Sequence, residues 1–315
     1  MYSQLFLLFA MIFTGYFLRK SGFINSDMNE GVSKIIVFVA YPCLIIYNVG
    51  TMKLTTSLLR DFLQVSLIGL VFFALYGVVS QGWVRLTKQK DSVKDITALS
   101  MALPNNGFMG FPVALIFLGA KGLLLMTAHT VAFNIYTYTY GVYSLDRNKK
   151  DKDYGGGRLT TVLKLMLNPN LLAIVLGFVF CLGKIPLDNP LGEYFMQLGR
   201  ISTPLAMVYI GSVLAEGSVS ETFKDKQIIG GSAVKLLVIP AITALGVWFL
   251  PVGDAVKAIL ILGAAFPSAA IPVMLVADRL EEAAIAGKML FFSTVVSGVT
   301  IPAVLKLLQW GLNIN

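Results

Sequence analysis

Charge is what this sequence has least of. Of 315 residues only 13% are Asp, Glu, Lys or Arg, while 56% are hydrophobic. An ordinary soluble domain carries about 25% charged residues. A soluble core of this size has no way to hide so much apolar surface behind so little charge, so the chain belongs in a lipid bilayer. Cysteine is nearly absent: Cys43 and Cys181 each sit inside an apolar run, which excludes a disulfide framework and a clustered-ligand metal site. There is one histidine, His129, and it too lies in an apolar run. It reads as a hydrogen-bonded packing residue ahead of a proton relay. No Asp or Glu falls near the middle of an apolar run, so the buried carboxylate that sodium- or proton-coupled carriers often use has no candidate here. Paired intramembrane aspartates, or a nucleophilic serine with its base, are missing as well, which speaks against an enzyme. The triple glycine 155–157 has no strand before it and no Gly-Lys-Ser/Thr after it, so it is a connector and no phosphate cradle. No cofactor is expected.

What is present is a series of long apolar runs. They are continuous, without the alternation of a membrane β-barrel, so the fold class is all-α integral membrane. Ten spans are predicted, at roughly 2–18, 32–50, 62–83, 95–119, 122–144, 168–184, 192–215, 228–250, 255–277 and 284–308. The segment 1–18 lacks a basic leader and a small-residue cleavage pattern, and reads as a retained first span. The net charge of +8 does not imply nucleic acid, because the basic residues collect in short loops between spans. Fifteen Lys and Arg gather on one side, from Arg19 and Lys20 to Arg279, against six on the other. The positive-inside bias then puts both termini outside a cell (inner) membrane that the chain crosses many times. The expected domains are a five-helix repeat at 1–145, a cytoplasmic connector and interfacial segment at 146–165, and a second, inverted five-helix repeat at 166–315. Five spans per half is odd, which is what inverts the second half.

The repeat shows in the prolines. Pro42 and Pro104 lie 62 residues apart, and Pro204 and Pro267 lie 63 apart. Gly15-Tyr16 answers Gly177-Phe178, and Tyr47, five after Pro42, answers Tyr209, five after Pro204. Pro42 and Pro204, without polar neighbours of the Asn type, are predicted to be kinks. Pro104 heads Pro104-Asn105-Asn106-Gly107, with Pro112 a second interruption and Gly107 and Gly110 adding backbone freedom. Pro267 heads Pro267-Ser268-Ala269 in the matching place. A helix broken at mid-membrane frees backbone groups that hydrocarbon cannot satisfy, so both stretches must be buried in protein or line a wet cavity. Asn105 or Asn106, and Ser268 in the same manner, are expected to cap a second half-helix whose amino terminus attracts an anion. Lys34, Lys235 and Lys288 lie near cytoplasmic span ends and are read as snorkelling. Arg200 is read as snorkelling first and as a carboxylate partner second. Tyr47, Tyr209 and His129 are second-tier candidates for a cavity wall.

Ala-Leu-Pro-Asn-Asn-Gly-Phe-Met-Gly-Phe-Pro at 102–112 and Phe-Pro-Ser-Ala-Ala-Ile-Pro-Val-Met-Leu at 266–275, within ten spans, resemble the auxin efflux carrier family. More narrowly, they resemble its short prokaryotic members, the malate or malonate permeases. The resemblance covers essentially the whole chain and implies crossing broken fourth and ninth helices that hold an organic anion. It also implies a scaffold of spans one, two, six and seven, and a homodimer. The family's crossover asparagine falls on Asn105 or Asn106; Ser268 stands where plant carriers have an asparagine, and the long loop of the plant exporters is missing. The expectation is a secondary transporter of a small carboxylate working by alternating access, with Na or H as coupling ion left open. The alternative is a ligand-binding membrane sensor or scaffold with a transporter-like fold.

Overall fold

A computed structural model describes residues 2–53, 55–146, 169–216, 222–276 and 279–312, and these are helical apart from turns and two short extended stretches. The connector expected at 146–165, with its glycines, lies outside the described residues except for Asp146. Polar caps start several helices at the ends where water would be. Asn25 Oδ1 accepts from the Met28 amide at 2.8 Å, and Asn189 Oδ1 accepts from Leu191 and Gly192 ahead of helix Pro190–Arg200. Asp225 does the same for helix Lys226–Ala233.

The exposed faces are apolar. Along helix Thr56–Leu86, Leu63, Leu67, Val71, Leu75 and Val78 recur on one exposed stripe, while Val65, Phe72, Phe73, Tyr76 and Ser80 are buried. A helix whose outward stripe is hydrocarbon is solvated by lipid. Among the described residues, six helical stretches are long and apolar enough to cross a bilayer: Ser26–Gly50, Thr56–Leu86, Asn106–Leu145, Pro190–Ala215, Lys226–Trp248 and Leu280–Gly311. The third has 40 residues. At 1.5 Å per residue that is about 60 Å, twice a hydrocarbon core of about 30 Å. It is not one rod: Gly119, with φ 60° and ψ −148°, interrupts it at the boundary read between the fourth and fifth spans.

Three of the prolines in helical stretches are absorbed by widening, whereas Pro302 sits inside helix Leu280–Gly311 without it. Single π turns at Ile36–Ala40, Asn106–Gly110 and Val234–Val238 end two residues before Pro42, Pro112 and Pro240. Each of these prolines lacks the amide for the preceding turn and would press its ring on the carbonyl four residues back, and a wider turn relieves both. Pro112 therefore does not interrupt its helix, contrary to expectation. Pro42 sits in a continuous helical stretch, and Pro204 falls in the first turn of helix Ser202–Glu216, where no amide is needed.

The chain forms two compact units. The first comprises Met1–Leu63, Gly107–Ala128 and Val162–Glu216. It therefore contains the helices at the places expected for spans one, two, six and seven, together with 107–128. Its helices meet through glycine. A β-carbon on Gly15 would lie 2.0 Å from the Val208 carbonyl oxygen, and one on Gly211 would lie 1.8 Å from that of Ile12. Helices Tyr2–Lys20 and Ser202–Glu216 thus touch backbone to backbone. Gly177 against Val49 and Gly199 against Leu44 seat helix Tyr41–Gly50 in the same way. Close approach through small residues is the main packing device available between helices where lipid is as apolar as the side chains.

The second unit comprises Gln64–Asn106, His129–Thr161 and Gly217–Asn315. Its interior is more polar. The Tyr76 hydroxyl bonds Thr243 Oγ1 at 2.7 Å, and Gln81 Nε2 donates to Asp95 Oδ1 at 3.2 Å. Ser293, Thr294 and Ser297 form a buried polar stripe on helix Leu280–Gly311. Both proline-headed interruptions, at Pro104–Asn106 and Pro267–Ala269, lie in this unit.

Candidate functional site

Helix Lys94–Ala102 ends where Leu103 turns extended, at φ −94° and ψ 111°. Helix Asp254–Ala265 ends in the same way at Phe266, with φ −66° and ψ 149°. Each residue precedes a proline, whose ring disfavours the helical region for its neighbour. The two extended stretches then pair. The Asn105 amide donates to the Pro267 carbonyl at 2.8 Å, and the Ala269 amide donates to the Leu103 carbonyl at 2.9 Å. Pro104 and Ser268 face each other in an isolated antiparallel bridge. Each interruption supplies the backbone partners that the other lost, which is how irregular backbone persists at a buried position.

Other freed groups are taken up nearby in the chain or by side chains of other helices. The Asn106 amide bonds the Pro104 carbonyl at 2.9 Å. In an unbroken helix the Ser268 amide would bond the Ala264 carbonyl. It bonds Ser293 Oγ instead, at 2.9 Å, and the Ala264 carbonyl accepts from Lys235 Nζ at 3.2 Å. Lys235 does not snorkel: it is 0% exposed, because its ammonium is drawn inward to this freed carbonyl.

Ser268 does not cap a half-helix. Helix Ile271–Leu275 starts after Ala270 without a side-chain cap, and Ser268 Oγ has no hydrogen-bond partner. The bridge to Pro104 has fixed Ser268 in extended backbone, two residues too early. Asn106 opens the π turn, and its amide group reaches sideways to His129, with Nδ2 3.0 Å from Nδ1. Asn106 Oδ1 and His129 Nε2 have no partner. Whichever tautomer and amide orientation the pair adopts, it leaves one donor and one acceptor unfilled. The imidazole is held from three sides. Phe73 lies 5.0 Å away between ring centres, a β-carbon on Gly69 would be 3.5 Å from Cδ2, and one on Gly263 would be 2.5 Å from Cε1.

The structure thus brings Pro104, Asn105, Asn106, Pro267, Ser268, Ala269 and His129 together in the second unit, all buried. Gly107, the next residue in the chain, is counted with the first unit, and a β-carbon there would meet nothing within 4 Å. Tyr47, Tyr209 and Arg200 also belong to the first unit. Tyr209 packs on Phe108 with ring centres 4.7 Å apart, Tyr47 is half-buried, and Arg200 is exposed at the end of its helix. Sequence reasoning missed Lys235, Gly263 and Ser293. The polar stripe of Ser293, Thr294 and Ser297 was the available signal for the last. A lysine in an otherwise apolar stretch was the signal for the first. Among the described residues, no group of three His, Cys, Asp or Glu is placed to hold a metal ion.

A family model described as membrane transport protein matches residues 1–305. An uncharacterized transporter of Methanothermobacter thermautotrophicus is 23% identical over 295 residues, covering 93% of each chain. An uncharacterized transporter of Methanocaldococcus jannaschii is 25% identical over 212 residues, covering 65% of this chain and 66% of the relative.

Proposed function

Because the chain belongs to the auxin efflux carrier family of membrane transport proteins, we propose that it is a secondary transporter of a small organic acid anion. Malate, malonate or an auxin-like carboxylate fits this reading, and transport proceeds by alternating access at the paired interruptions. The observation that carries it is the set of unfilled polar atoms, Asn106 Oδ1, Ser268 Oγ and His129 Nε2, buried where two interrupted helices pair. Buried polar atoms nearly always find partners, and three left open around one backbone crossing fit a ligand that comes and goes. With neighbouring amides, Asn106 and Ser268 orient the carboxylate, and the closed backbone pairing keeps the crossing rigid around it.

On this reading the chain makes ten crossings as two inverted five-helix repeats, 1–145 and 166–315, with both termini outside the cell membrane and a homodimer as the assembly. The interruption at Gly119 favours ten over six, and so do the glycine contacts at Gly15 and Gly177, which recur half a chain apart. The test uses purified protein in liposomes offered radiolabelled mono- and dicarboxylates, with and without sodium and pH gradients. Saturable uptake of at least one acid is the expected result, and the gradient that drives it identifies the coupling ion. If no anion moves under any gradient, the proposal fails.

A further inference from the structure

Resting on that reading, we propose that Lys235 is a substrate-binding residue: its ammonium is the fixed positive charge that pairs with the carboxylate at the crossing. Lys235 is wholly buried in the second unit, and its described partner is one neutral carbonyl, that of Ala264 at 3.2 Å. An ammonium has three donors. Buried charges are normally paired with an opposite charge, because desolvation is costly. Among the described residues the buried acids are Asp61 and Asp95. Asp61 belongs to the first unit and pairs with Lys121 at 3.0 Å; Asp95 accepts from Gln81. Among the described residues, then, the second unit buries a cation whose bond is to a carbonyl, while its buried carboxylate, Asp95, accepts from Gln81.

The location of that cation is as informative as its isolation. Ala264 follows Gly263, on which the His129 ring packs, and His129 holds Asn106. Four residues beyond Ala264 is Ser268, whose hydroxyl is unfilled. The ammonium is thus anchored at the last turn of helix Asp254–Ala265, beside the glycine on which His129 packs and four residues before Ser268. Capping the Ala264 carbonyl needs only a neutral donor, such as Gln or Ser. A charge is needed if the site must hold an anion away from water, since hydrogen-bond donors alone do not replace a carboxylate's hydration. The ligand class that follows is a carboxylate with at least one further oxygen for Asn106 and Ser268.

The experiment uses the full chain purified in detergent and the same protein in liposomes, comparing wild type with Lys235→Met and Lys235→Gln. Melting temperature is read with and without malonate, malate or acetate at matched ionic strength, and uptake of the labelled acids is measured alongside. Malonate or malate is expected to raise the wild-type melting temperature. In Lys235→Met the ligand-free melting temperature equals or exceeds that of wild type, because an apolar chain of similar length replaces a buried charge. Its anion affinity, read from the concentration dependence of the melting temperature, and its uptake fall by about 30-fold or more. Lys235→Gln, which keeps a donor for Ala264, loses the same response and covers the case in which the Met variant does not fold. If either variant keeps a wild-type anion response, Lys235 is not the charge while the transport reading stands. A merely structural lysine would give the opposite pattern, a lower melting temperature with anion binding retained in the folded fraction, and this also overturns the assignment. If wild type itself responds to no anion and moves none, the transport reading falls and the assignment of Lys235 falls with it.

Discussion

Replacing Gly263 by alanine adds one methyl group where the His129 ring already lies. The new carbon would be 2.5 Å from Cε1, 2.8 Å from Nε2 and 2.9 Å from Nδ1. Comfortable contact between such atoms is about 3.5–4.0 Å, so the ring must retreat by roughly 1 Å. Phe73 and the Gly69 backbone stand behind it. A retreat of that size stretches the 3.0 Å contact between Asn106 Nδ2 and His129 Nδ1 beyond hydrogen-bonding range. Overpacking costs about 1–3 kcal/mol, and leaving the buried pair unmade adds a similar amount, giving about 2–6 kcal/mol in total. The measurement is SDS titration of the protein in mixed micelles, followed by tryptophan fluorescence, as a cycle with His129→Ala. In the His129→Ala background the added methyl has room, and its cost falls below about 1 kcal/mol, so the two substitutions couple strongly. Uptake should fall in Gly263→Ala because Asn106 loses its support. A Gly263→Ala protein as stable as wild type, or one equally destabilised in both backgrounds, would refute the placement of the imidazole.

Asn106→Ala should abolish carboxylate uptake while the protein still inserts and purifies, with stability lowered by no more than about 1–3 kcal/mol for the imidazole nitrogen left unpaired; wild-type uptake in that variant removes the crossing from the transport path. Gly211→Ala should be among the most damaging single-methyl changes in the first unit, because its β-carbon would sit 1.8 Å from the Ile12 carbonyl oxygen. Its cost is expected at or above the top of the usual range of about 1–3 kcal/mol for overpacking. Folded yield by fluorescence-detected size-exclusion chromatography, with Gly31→Ala at an open helical position as control, reads the difference.

Local chemistry was the legible part of the sequence. Pro104 and Pro267 dictate an extended residue before each of them, and Leu103 and Phe266 are extended. The boundary at 119 was readable as well, because the apolar sequence there is about two membrane lengths long; that Gly119 makes the break is a finding of the structure. The partners were not legible. Ser268 was expected to cap a helix because serine does so locally, yet a bridge to a residue 164 positions earlier overrides that preference. Lys235 was expected to reach outward, because sequence does not reveal that Ala264 has lost its helical donor to a serine on another helix. Where a buried polar group finds its partner is a property of tertiary contact, and the residue type fixes only how strongly it must find one.

The mutual pairing of the two interruptions also bears on how the protein is made. Leu103 and Asn105 are synthesised about 160 residues before Pro267 and Ala269, which at about 5–20 residues per second is roughly ten to thirty seconds. For that interval the earlier interruption holds backbone groups that hydrocarbon will not accept. The nascent first half therefore waits beside the insertion machinery, or in reach of water, until its counterpart emerges. Assembly of the crossing is a late event in the life of the ribosome-bound chain.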